Sequence, residues 1–177
     1  FYFQDPRVAL PDEPVRDRST SDVVAEVELN AYKNWNARFA YQWNPDETQG
    51  ERSETFVQYN PTPGRVINAG YRFRRDLLEQ VDVSGAWPIN NQWRGFARFV
   101  YSLQEENTLD QFLGLEYSSC CWAVRVIGRR FISSRSGAAE TSIGLQLELK
   151  GLSSVGVDNE AFLRDAIRGY SSPASAL

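Results

Sequence analysis

The stretch GLEYSSCCWAVRVI, Gly114 to Ile127, decides how this chain is read. Two runs of alternating apolar and polar residues meet at a tight polar turn that carries Cys120 and Cys121, the two cysteines of the chain. Alternation with a period of two marks a strand with one greasy and one wet face, and the turn between the runs makes them a hairpin. Neighbouring Cα atoms lie about 3.8 Å apart across a trans peptide, below the roughly 4.4 Å that an ordinary disulfide requires. Oxidised, each thiol therefore needs a partner outside this sequence. Reduced, the two are buried free thiols at a strand end, a common fate for cysteine. The residues alone leave both readings open.

Outward from this hairpin the same grammar returns every ten to twelve residues. Val23, Ala25, Val27, Leu29 and Ala31 oppose Glu26, Glu28 and Asn30; Trp35, Ala37, Phe39, Tyr41 and Trp43 oppose Asn36, Arg38, Gln42 and Asn44. Pro45 to Glu51 reads as a polar loop, and the next strand as Arg52 to Asn60, stopped at Pro61. Ile67, Ala69, Tyr71 and Phe73 then oppose Asn68, Arg72 and Arg74, and Val81, Val83 and Trp87 oppose Asp82 and Ser84. Trp93, Ala97, Phe99, Tyr101 and Leu103 oppose Arg94 and Arg98; Leu109, Leu113, Leu115 and Tyr117 oppose Asp110 and Glu116. Beyond the cysteines, Trp122, Val124 and Val126 oppose Arg125 and Arg129, and Ile143, Leu145, Leu147 and Leu149 alternate with Gly144, Gln146 and Glu148. The expectation is an all-β antiparallel meander of nine strands, with a tenth at Phe1 to Leu10 weakened by Pro6. Glu140 to Lys150 is expected to be the last strand. Asp158 to Gly169 changes period: Phe162, Leu163, Ala166, Ile167 and Tyr170 fall near helical spacing, with Asp158 or Asn159 as cap and Gly169 as stop. Residues 1–150 are thus read as the strand region and 151–177 as a tail.

Composition narrows the classes. With 177 residues, a net charge of −4 and no histidine, the chain offers neither a basic block for nucleic acid nor a usual zinc set. Without histidine there is no ordinary Ser-His-Asp arrangement, and pairs such as Glu105-Glu106 sit in a loop as solvated charges, so no enzyme and no cofactor is expected. The start at Phe1, the absence of methionine and the lack of a charged-then-apolar leader are those of a mature or excised piece. No apolar run approaches the roughly 18 residues of a spanning helix. Mean hydropathy is −0.46, which alternating barrel strands can produce while still crossing a bilayer.

Alternation over about ten strands is written by soluble barrels, greasy face inward, and by outer-membrane barrels, greasy face outward. The runs approach the 9–11 residues of a tilted spanning strand, longer than the usual 5–6 of soluble sheets. Trp35, Tyr59, Trp87, Trp93, Tyr117 and Trp122 all lie on the apolar face within a few residues of turns that belong to one end of the meander. They are expected to form one belt at a membrane interface. A self-contained small outer-membrane barrel, acting as porin or membrane enzyme, and a soluble ligand-binding β-barrel are the alternatives.

LGLEYSSCCWAVRV, then SIGLQLELKGLSSVG, then Arg168-Gly169-Tyr170 resemble the C-terminal end of the LptD family of lipopolysaccharide-assembly proteins. FYF at the start, WNPD at Trp43 to Asp46 and GYRFR at Gly70 to Arg74 are also similar to members of that family. The resemblance implies an arc of a very large outer-membrane barrel, with an N-terminal periplasmic jellyroll outside this sequence. It implies that Cys120 and Cys121 form long-range disulfides to cysteines outside this chain, in the oxidising periplasm. It implies lipopolysaccharide as cargo, membrane lipid outside, an LptE lipoprotein in the lumen and a periplasmic Lpt bridge reaching the jellyroll. On that reading the tail is periplasmic, and the strand carrying Ile143, Leu145, Leu147 and Leu149 is one side of a lateral seam. Arg94, Arg98, Arg125, Arg129, Gln146 and Glu148 line a wet interior, the arginines mostly paired with neighbouring acids such as Glu116.

Overall fold

The structure, a computed structural model, describes residues 21–133 and 137–171. Ten strands follow one another in sequence order: β1 (Val23–Tyr32), β2 (Trp35–Asn44), β3 (Gln49–Thr62), β4 (Arg65–Arg74), β5 (Leu78–Pro88), β6 (Trp93–Ser102), β7 (Asn107–Ser118), β8 (Trp122–Ile132), β9 (Ala139–Leu149) and β10 (Ser153–Gly156). One helix, α1 (Asn159–Ala166), closes the series. Each strand pairs antiparallel with its sequence neighbours in a single sheet ordered β1 to β10. Among the described residues the sheet is open, since β1 pairs with β2 and β10 with β9.

Two expectations are corrected. The strand before the Pro61 stop begins at Gln49, because Gln49 and Gly50 pair with Asn44 and Trp43 of β2 past a register shift. Glu140 to Lys150 is not the last strand: Gly151, at φ +83, turns the chain back so that Ser153–Gly156 pairs with Leu149–Gln146. Gly, with no Cβ, adopts that left-handed φ without strain. The strand anticipated at Phe1 to Leu10 lies outside the described residues.

The two faces of the sheet are chemically opposite, and the exposed one is the apolar one. Trp93 and Leu147 are 40% and 39% exposed, and Leu113 reaches 69%. By contrast the opposite face carries the buried residues Asn68, Ser84, Glu116, Arg125 and Gln146. A soluble sheet packs its apolar side chains away from water. Here the packing runs the other way, because the tail folds back over the polar face.

What draws the tail there is a row of small and apolar residues threaded through the charged side. Val66, Ala86, Phe96, Gly114, Ile127 and Gly144 are successive cross-strand partners from β4 to β9. With Phe112 they form the floor on which Leu163, Ile167 and Tyr170 are buried. Phe162 meets Phe112 edge-on at 5.1 Å, and Tyr170 meets Phe96 at 5.7 Å. Fully burying a Leu or Ile stabilises by about 1.5–3 kcal/mol. That matters because an eight-residue helix is marginal in isolation. Its start is capped as expected: the Asp158 carboxylate accepts from Ala161 N at 3.0 Å.

Candidate functional site

Three features carry chemistry: an aromatic belt, a buried charge network and the cysteine turn. The belt comes from register. Trp35 stands opposite Tyr59, and Trp93 opposite Tyr117, so rings on neighbouring strands share a level. Contacts run Trp35–Tyr59–Trp87 at 4.8 and 6.5 Å, and Trp93–Tyr117–Trp122 at 5.1 and 5.3 Å. A second ring level, not anticipated, lies toward the other end: Phe39 stacks with Tyr41 and Phe99 with Tyr101. Six residues along β2 and eight along β6 separate the levels, about 20–27 Å of strand at roughly 3.3 Å per residue. An apolar band about 25 Å tall between two aromatic girdles is what a barrel presents to a bilayer.

The charge network lies on the tail-covered face. Arg94, Arg98, Arg125, Arg129, Gln146 and Glu148 all fall on it by register. Arg125 donates through Nε and Nη2 to Glu116 and through Nη1 to Gln146 Oε1 at 2.8 Å. Glu148 stands 4.0 Å from Arg125, and Arg94 stands 3.9 Å from Glu116. Arg98 grips Asp82 with two bonds, and Arg129 grips Asp110 with two. Planar guanidinium forks match carboxylates in this way. The Arg129 guanidinium also lies over the Phe131 and Phe162 rings, at 4.5 and 5.1 Å. Arg98, Arg125 and Arg129 are thus committed to carboxylates across the strands, whereas the buried Nε and Nη1 of Arg94 have no hydrogen-bond partner.

The tail locks the same face. Gln58 Nε2 and Asn68 Nδ2 both donate to the Arg168 carbonyl, at 3.0 and 2.9 Å, and Gly64 N donates to Ser171 Oγ. A Cβ at Gly144 would lie 2.5 Å from Asn159 Oδ1, so a larger residue there would displace that amide. Burial pushes the Tyr170 phenol above its ordinary range. Sequence reasoning passed over this interface, although the signal was present. Phe96 sits between Arg94 and Arg98, and Ile127 between Arg125 and Arg129, both on the polar parity and matched only by the apolar stripe of the tail.

The cysteine turn joins β7 to β8 at the belt end of the sheet. Cys120 and Cys121 are both exposed and unbonded, their sulfurs 2.9 Å apart. The Cys121 thiol's hydrogen bond, seconded by Ser119, holds Cys120 below the usual thiol range, and the same bond pushes Cys121 up. Ile143, Leu145, Leu147 and Leu149 are exposed on β9, whose outer edge is paired by β10 only along Gln146–Leu149. Among the described residues no group of three or more His, Cys, Asp or Glu could hold a metal.

The family model for LptD, LPS transport system D, matches residues 1–93. The chain belongs to the LptD family. It is 41% identical over 168 residues to the LPS-assembly protein LptD of Nitrosomonas eutropha, covering 95% of this chain and 23% of that protein. The LptD of Nitrosococcus oceani is 36% identical over 172 residues, covering 97% and 23%. That of Xylella fastidiosa is 38% identical over 176 residues, covering 96% and 22%. The chain therefore spans under a quarter of the length of the LptD relatives it matches, including the whole region of β1 to β10.

Proposed function

We propose that this chain is part of the wall of an outer-membrane barrel that delivers lipopolysaccharide to the outer leaflet. The observation that carries the reading is the exposed apolar face bounded by two aromatic levels, with its charges turned to the opposite side. In lipid that face loses nothing; in water it would be an aggregation surface. The open sheet favours an arc completed by other strands of the same polypeptide over a small barrel closed on itself.

On this reading the tail-covered face looks into a hydrated lumen where the saccharide of lipopolysaccharide passes, and the acyl chains leave sideways through a seam beside β9. Strands β1 to β10 are barrel wall, and the segment from α1 onward enters the lumen from the periplasmic end. Cys120 and Cys121 then lie in a periplasmic turn and bond to cysteines elsewhere in the polypeptide, tying barrel to jellyroll. LptE in the lumen and the Lpt bridge at the jellyroll complete the path. The Arg98, Arg125 and Arg129 pairs act as a fixed, internally neutralised part of the wall.

The test is a pair of charge insertions in the full-length protein. An arginine facing lipid near mid-bilayer costs about 2–4 kcal/mol, whereas lumen positions tolerate charge. Leu145→Arg should sharply reduce outer-membrane assembly and lipopolysaccharide at the cell surface, while Ser142→Arg on the opposite face should leave both near normal. Equal tolerance of the two would reject the membrane orientation.

A further inference from the structure

The cysteine turn is braced from the neighbouring hairpin by one side chain. Lys150 Nζ donates to Ser118 Oγ at 2.8 Å and to the Ser119 carbonyl at 2.5 Å, and Lys150 N donates to the Cys121 carbonyl at 3.0 Å. Three bonds therefore run from one residue in the β9–β10 turn to the residues on either side of Cys120. The turn's own closure is the Ser119 N to Trp122 O bond at 2.8 Å.

We propose that Lys150 is a positioning residue for thiol–disulfide exchange at Cys120 and Cys121, fixing the turn and keeping an ammonium beside the thiols. This deepens the proposed disulfide role and rests on it. A lysine suits the task better than an arginine, because a compact ammonium with rotatable donors fits between a hydroxyl and a carbonyl.

The chemistry needs no oxidant beyond a disulfide already present, in the protein or in a small molecule. A thiolate of the pair attacks one sulfur of that disulfide; a new S–S bond forms as the old one breaks. The departing sulfur leaves as thiolate and takes up the proton the cysteine lost, so the cysteine is oxidised and the leaving sulfur reduced. A nearby positive charge raises the thiolate fraction that can attack. The ionisable groups at the turn are the two thiols and Lys150, whose charge favours both thiolates. Lys150 also ties exchange at this turn to the folded state of β10, since its backbone begins the turn into that strand.

The experiment uses full-length protein in detergent, its disulfides reduced without unfolding. Neutral iodoacetamide is the probe, and mass spectrometry of the peptide bearing Cys120 and Cys121 is the readout across pH and salt. In a water-like dielectric, a charge roughly 7 Å from an ionising group changes its ionised population about threefold. Lys150→Gln should slow alkylation about threefold at neutral pH and low salt, with its pH profile moved up. Lys150→Arg should stay within a factor of two of the parent, and high salt should close the gap. Wild-type protein should itself slow as salt rises, a reading that needs no variant to fold. A Lys150→Gln rate and profile equal to the parent, or Lys150→Arg slowed as much as Lys150→Gln, would overturn the proposal. Failure of the underlying reading looks different: Cys120 and Cys121 would be free thiols in untreated mature protein, whatever Lys150 does to their reactivity.

Discussion

Two parts of the polar face, written in the same alternating grammar, have opposite environments. On β1 and β2, Arg38 and Glu26 pair at 2.8 Å with side chains 46% and 49% exposed. On β7 and β8, Arg125 and Glu116 pair with side chains 4% and 5% exposed. Among the described residues β1 is an edge strand, whereas β7 and β8 are paired on both sides. The larger difference lies above the sheet: the tail crosses from β10 to the β3–β4 turn and covers the second pair but not the first. An exposed ion pair is worth about 0–1 kcal/mol, whereas breaking a buried one strands a charge out of water. The same two residue types thus serve as solvated surface in one place and as an indispensable couple in the other.

The largest effect expected from this contrast is Glu116→Ala, which leaves Arg125 buried beside Gln146 with only the more distant Glu148. A loss of about 3 kcal/mol is expected. Glu26→Ala should cost no more than about 1 kcal/mol. Urea midpoints of the purified full-length variants measure both, and equal shifts would break the comparison. Ending the chain after Gly156 sharpens it, since without the tail the cost of Glu116→Ala should fall toward that of Glu26→Ala.

Next in size is Leu163→Ala. Truncating a fully buried Leu leaves a cavity and typically costs about 2–4 kcal/mol. Here the loss falls on tail docking, so limited proteolysis should cut within 157–171 while β6 to β8 stay protected. Unchanged protection of the tail would mean that the apolar row does not hold it. A small, local effect is expected at the helix start. Asp158→Ala removes the acceptor for Ala161 N and should cost about 1 kcal/mol, seen as faster amide exchange in the first turn of α1 without change in β8 or β9.

Strand order, hairpin topology and the parity of nearly every side chain were legible in the sequence, because a period of two leaves each residue only one face to occupy. The belt followed from the same rule, since aromatic residues a few positions from successive turns have nowhere else to stand. The helix and its Asp158 cap were legible for the same kind of reason, a local pattern with a local cause. The reversal at Gly151 is not legible in this way, because the four residues of β10 carry too little alternation.

What the chain's letters determined alone is which side of the sheet is greasy and which is charged. Whether a given charged residue is wet or dry, paired across strands or bare, was decided only when Leu163, Ile167 and Tyr170 came down on Val66, Phe96 and Ile127. Burial is a property of what lies above a face, and the cover here arrives from residues tens to a hundred positions away. Alternation cannot encode that, so the sequence could mark Arg125 and Arg38 as equivalent while the fold made them different.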